Sequence, residues 1–126
     1  MKNFFFLTVL SLSLIMVSCG GDSGPEINLT SPSDGDTFLV GGTISLGGTV
    51  TDDTEVSALS IVLTGDVVTT YTIDLSAATD RTTINLASIQ ALAIDTTVIP
   101  GDYVLTITAT DNDSNSTEES LDLTIQ

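Results

Sequence analysis

Gly101-Asp102-Tyr103-Val104-Leu105-Thr106-Ile107-Thr108-Ala109-Thr110 is the stretch on which the fold turns. Tyr103, Leu105, Ile107 and Ala109 alternate with Val104, Thr106, Thr108 and Thr110. Successive side chains of a strand point to opposite faces, so this pattern predicts a strand with one face in a core and a threonine-rich face outside. Pro100-Gly101-Asp102 makes the turn before it, and a polar loop from Asp111 to Ser116 follows.

The same period of two extends outward in both directions. Leu121, Leu123 and Ile125 mark the last strand, and Ile27 and Leu29 the first. Ser31-Pro32-Ser33-Asp34-Gly35-Asp36 is a turn, after which Phe38 and Val40 lead to Gly41-Gly42. Ile44, Leu46 and Val50 point one way around Gly47-Gly48, a glycine pair that predicts a bulge or a close backbone approach. Leu59, Ile61 and Leu63 form the next strand, and Gly65-Asp66 turns it into Val67 to Leu75. Thr82 to Leu86 is a short strand centred on Ile84 and Leu86. Ser88 to Ile94 has helical composition and predicts a single turn crossing between sheets, with Ile89 and Leu92 inward.

About seven or eight short strands with turns every eight to twelve residues predict an all-β chain folded as an antiparallel β-sandwich. Four strings then carry a resemblance: Pro25-Glu26-Ile27-Asn28-Leu29, Pro32-Ser33-Asp34-Gly35, Gly48-Thr49-Val50-Thr51-Asp52-Asp53, and Gly101-Asp102-Tyr103 through Ala109-Thr110-Asp111. They are similar to bacterial immunoglobulin-like domains, and to cadherin-like and fibronectin-III-like modules of secreted proteins. The likeness covers residues 25 to 126 and specifies fold far better than activity. Cys19 is the only cysteine and there is no tryptophan, so the disulfide and core tryptophan of antibody domains are missing. Within an Ig-like frame, Tyr103 is either a tyrosine corner or an ordinary core tyrosine.

The N-terminus reads as an export signal. Lys2 precedes an apolar run from Phe4 to Val17, then Ser18 and Cys19. This is the charged, apolar, small-residue order of a secretory signal peptide. The run is short of the roughly 20 apolar residues of a membrane-spanning helix. It resembles the lipobox of bacterial lipoproteins, with Met16 where leucine is commonest. That resemblance implies cleavage before Cys19 and lipidation of its thiol. The expected organisation is a signal peptide at 1–18, a lipidated Cys19 and flexible tether at 19–25, and an Ig-like domain at 26–126. A lipobox followed by one such domain resembles the small Ig-like lipoproteins common in Bacteroidota. The expected location is the outer membrane, lipid-anchored, on the cell surface or the periplasmic face.

Cleavage there would remove Lys2 and leave 17 acidic residues against the single Arg81, a formal charge of −16. Such a chain repels phosphate backbones, which excludes nucleic-acid partners. It also lacks the basic patch that would draw it onto anionic lipid. With no histidine, no mature lysine and no free thiol, the common general bases and nucleophiles are missing, and no enzyme is expected. Few aromatic residues remain to form a sugar platform, so a glycan ligand is disfavoured and a protein partner expected.

One acidic constellation stands out. In an Ig-like sandwich the loops Thr51-Asp52-Asp53-Thr54-Glu55 and Asp111-Asn112-Asp113-Ser114-Asn115 lie at the same end. Asp52, Asp53, Glu55, Asp111 and Asp113 are therefore candidate ligands of a weak calcium site, since calcium takes six to eight oxygens. The simpler alternative is that Asp and Asn at loop tips make solvated Asx turns. In this topology the tether also emerges at the acidic pole. Asp95-Thr96-Thr97 matches an O-glycosylation pattern of Bacteroidota secreted proteins, with Thr96 as acceptor, or else an exposed turn. The function expected is a non-catalytic, lipid-anchored envelope module for protein binding or adhesion. The alternative is a structural accessory subunit of an outer-membrane complex.

Overall fold

The structure is a computed structural model describing residues 24–126. Cys19, the expected signal peptide at 1–18 and most of the expected tether lie outside the described residues. The strands are β1 (Glu26–Ser31), β2 (Asp36–Phe38), β3 (Thr43–Ile44), β4 (Gly47–Thr51), β5 (Val56–Thr64), β6 (Val68–Thr72), β7 (Thr83–Asn85), β8 (Leu92–Ala93), β9 (Gly101–Asp111) and β10 (Ser116–Ile125). A five-stranded sheet runs β2-β10-β9-β5-β6, a three-stranded sheet runs β1-β4-β7, and β3 with β8 makes a separate two-residue ribbon. Every pairing is antiparallel except that of β2 with β10. The excess over seven or eight strands comes from pieces of two or three residues.

β9 is the centre of the large sheet because its alternation is uninterrupted. Tyr103, Leu105, Ile107 and Ala109 are all buried. They meet Leu63 and Ile61 of β5 on one side and Leu121 and Leu123 of β10 on the other. Val50 of β4 and Ile84 of β7 close the same apolar cluster from the smaller sheet. This is the sandwich expected from inward-facing residues of two sheets.

The Gly47-Gly48 pair produces both effects expected of it. The register slips between Leu29 and Ser31 of β1, opposite these glycines, so the extra residue sits on the facing strand. Gly48 has φ 115°, and a Cβ there would overlap the Asn28 carbonyl oxygen. Only glycine fits.

The predicted turn at Ser88 to Ile94 is misplaced. A single 3₁₀ turn forms at Leu86–Ser88, where the Asn85 carboxamide accepts from the Ala87 amide and the Ser88 hydroxyl donates to the Asn85 carbonyl. Asn85 thus caps the turn several residues upstream of the apolar segment. Leu92–Ala93 is drawn into pairing with Thr43–Ile44 instead. Leu92 is nonetheless buried, with Ile89 packed partly against the core.

The outer face of the large sheet follows from register. Val68, Thr64 and Val104 form one row across β6, β5 and β9; Thr70, Val62 and Thr106 form the next; Thr72, Ser60 and Thr108 the third. Ala58 and Thr110 begin a fourth. No charged side chain occurs in these rows until β10 adds Asp122 and Glu118. Val68 is 61% exposed and Val104 38%.

Candidate functional site

Three places in the fold were candidates for chemistry: the acidic pole, the Thr96 turn and the open side of the sandwich. At the pole the two loops do meet. The Asn112 amide donates to the Glu55 carbonyl at 3.2 Å, and the Asn112 carboxamide reaches the Glu55 carboxylate at 3.4 Å. Ser57 donates to the Asp111 carbonyl at 2.7 Å, pinning the start of β5 to the end of β9. Gly24 and Glu26 line a recess of about 600 Å³ together with Asp52, Asp53, Thr82 and Thr83. The chain therefore enters the domain at the acidic pole, as the topology predicts.

Two of the carboxylates, Asp52 and Asp111, accept within their own loops. Asp111, 2% exposed, accepts from the Asp113 and Asn115 amides through Oδ1 and from the Asn115 carboxamide through Oδ2, each at 2.8 Å. The Asn115 side chain, more than the backbone amides, holds its carboxyl below the usual carboxylate range. Asp52, 9% exposed, turns Oδ1 onto the Thr54 amide and hydroxyl at 2.9 and 2.6 Å. Its Oδ2 is buried without a partner among the described residues. Among those residues no group of three or more acidic, histidine or cysteine side chains is placed to hold a metal ion. Asp52, Asp53, Glu55, Asp111 and Asp113 thus share a pole without being gathered into one coordination shell. The best-buried pair is directed into its own loops.

One local device recurs at four of the 17 acids. Asp52 with Thr54, Asp80 with Thr82 and Asp95 with Thr97 make the same turn: one carboxylate oxygen accepts from the amide and the hydroxyl two residues on. Asp74 accepts the Ser76 amide in the same way. The hydroxyl and amide partners hold Asp74, Asp80 and Asp95 below the usual carboxylate range, and Arg81 adds a smaller effect at Asp74. Thr96, the candidate glycosylation residue, is the exposed middle residue of one such turn. An Asp-x-Thr spacing occurs four times in the sequence and marks this geometry at the three that lie in loops; Asp122-Leu123-Thr124 lies within β10.

Tyr103 resolves its two readings. Its hydroxyl donates to the Ile99 carbonyl at 2.7 Å, four residues upstream, which is the tyrosine-corner arrangement.

A further concavity has no counterpart in any sequence pattern. A cleft of about 790 Å³ opens between β6 and the segment following the 3₁₀ turn. Ile73, Leu75, Ile84, Ile89 and Leu92 make its apolar walls, and Thr70, Thr72, Asp74, Ser88 and Gln90 its polar border. The Tyr71 hydroxyl donates to the Ala93 carbonyl at 2.8 Å, and burial pushes that phenol's pKa up. The cleft exists because β6 ends the large sheet and β7 ends the small one. No periodicity within one segment reveals a gap between two edges.

Residues 25–91 match the family model of the bacterial Ig domain. No curated protein matches the chain in sequence. Among solved structures, that of CopC from Methylosinus trichosporium OB3b aligns with a TM-score of 0.43 and 16% identity, over 80% of this chain and 94% of that one.

Proposed function

The chain belongs to the bacterial Ig domain family, and from that premise we propose a non-catalytic, lipid-anchored module of the cell envelope that binds a protein partner. The observation that carries this reading is the outer face of β6, β5 and β9 from Val104 to Thr110, which holds no charge on a chain of formal charge −15 and is bordered by Asp102. Solvation favours scattered charge on a free surface. A threonine, serine and valine face framed by acids suits contact with another protein. The anchor is a lipid on Cys19, as its lipobox-like surroundings imply, and the location is the outer membrane. No helix among the described residues is long and apolar enough to cross a membrane.

Two measurements test the proposal. Intact mass of the native protein should begin at Cys19 and carry added acyl chains; a free thiol there removes the anchor. A photo-crosslinking residue at Thr106, in the full chain in its native envelope, should capture one protein. A second crosslinker at Asn112 covers the acidic pole. No capture from either position would remove binding through the outer face and through the pole. A single stoichiometric envelope protein would make the chain an accessory subunit, while capture of extracellular proteins alone would make it an adhesin.

A further inference from the structure

Resting on that binding role, we propose that the free edge of β6 and the cleft beside it take an extended, basic peptide segment of the partner by strand addition. β6 is the last strand of its sheet, with no strand paired to its outer edge among the described residues. An open edge presents unpaired amides and carbonyls, which proteins ordinarily guard with charge, proline or a bulge. The opposite edge of the same sheet is guarded: β2 covers β10 at Leu123–Ile125, and the stretch beyond carries Glu118, Glu119 and Asp122. β6 reads Val68-Thr69-Thr70-Tyr71-Thr72, with no charge and no proline.

The cleft supplies what an added strand needs for specificity. Alternate side chains of the incoming segment would enter between Ile73, Ile89 and Leu92, while its backbone pairs with β6. Charge selects the occupant. Exposed Asp66 and Asp74 bracket β6 at its two ends. A second copy of this chain, paired antiparallel about Thr70, would set Asp66 of one molecule against Asp74 of the other, in addition to the mutual repulsion of two strongly acidic chains. A segment with apolar residues at alternate positions and Lys or Arg towards both ends meets the same carboxylates favourably, and its association is accelerated by the field of the whole chain.

The test is selection of a displayed library of random twelve-residue peptides on the full chain. Enriched peptides should alternate apolar residues and carry basic residues towards their ends. Binding of an enriched peptide, followed by fluorescence anisotropy, should weaken at least tenfold in Ala91→Arg, which fills the cleft from an exposed position, and stay within twofold in Glu119→Lys on the guarded edge. N-methylation of alternate peptide amides should abolish binding in one phase and spare it in the other. No enrichment, acidic consensus peptides, equal loss in both methylation phases, or indifference to Ala91→Arg would overturn the proposal, as would self-association of the chain through β6. If the peptides fail while Thr106 or Asn112 crosslinks a partner in the envelope, the docking edge falls and the binding role stands.

Discussion

Gly65 and Tyr103 are in such close contact that a Cβ on Gly65 would lie 2.5 Å from two carbons of the tyrosine ring. The glycine opens the β5–β6 turn, and the tyrosine, 2% exposed, leads β9 into the core. The ring thus occupies the space a side chain on Gly65 would need. Its hydroxyl, held by the Ile99 carbonyl, fixes the approach to β9.

Gly65→Ala should destabilise by about 1–3 kcal/mol, because overpacking forces either the ring or the backbone to move. Tyr103→Phe should keep the packing and lose one hydrogen bond, about 1 kcal/mol. For a domain of this size that is a fall of about 4–8 °C in Tm. Calorimetry on both variants checks the order; a larger loss in Tyr103→Phe than in Gly65→Ala would contradict the contact.

Gly48→Ala should cost more than either. Its positive φ and the Asn28 carbonyl leave no room for a methyl group, so the β1–β4 pairing must part. Hydrogen exchange should show protection lost first at Ile27 to Leu29, while the amides of β9 keep theirs relative to global unfolding.

Ile107→Ala should cost about 2–5 kcal/mol, as for other buried aliphatic truncations. Ile107 is fully buried at the middle of β9, opposite Ile61 of β5. Thr106→Ala, on the outer face one position away, loses only the hydroxyl contact with Ser120 at 3.0 Å and should cost no more than about 1 kcal/mol. Urea unfolding of the pair measures the contrast between the two faces of one strand.

Asp111→Asn should lose stability in a pH-dependent way. The folded state holds this carboxyl below its ordinary value, chiefly through the Asn115 side chain. Its contribution is therefore complete above the unfolded value of about 3.9 and fades as pH falls through the folded one. The gap in Tm between wild type and Asp111→Asn should be widest near neutral pH and close in acid. A gap that stays constant down to pH 2 would show that the charge contributes nothing.

Much of the fold was legible because alternation is a local signal. Tyr103 to Ala109 reads as a half-buried strand from its own residues, and the matching patterns at Leu59–Leu63 and Leu121–Ile125 supply its neighbours. The placement of the 3₁₀ turn was not legible, because Asn85 as a cap and β3 as a partner for Leu92 compete with the composition of Ser88 to Ile94. At the pole, the meeting of the two loops was legible from topology. The inward turn of Asp52 and Asp111 was not, since it depends on which amides each loop presents.

By itself the sequence determined a two-sheet β domain with strongly acidic character and few groups suited to catalysis, because side-chain period, charge and residue inventory are properties of the chain alone. Only tertiary structure decided that Tyr103 closes a corner, that its ring lies against Gly65, and that β6 is left open beside a cleft. Those outcomes depend on which distant segments lie next to one another, and alternation within a strand carries no information about the strand's neighbours.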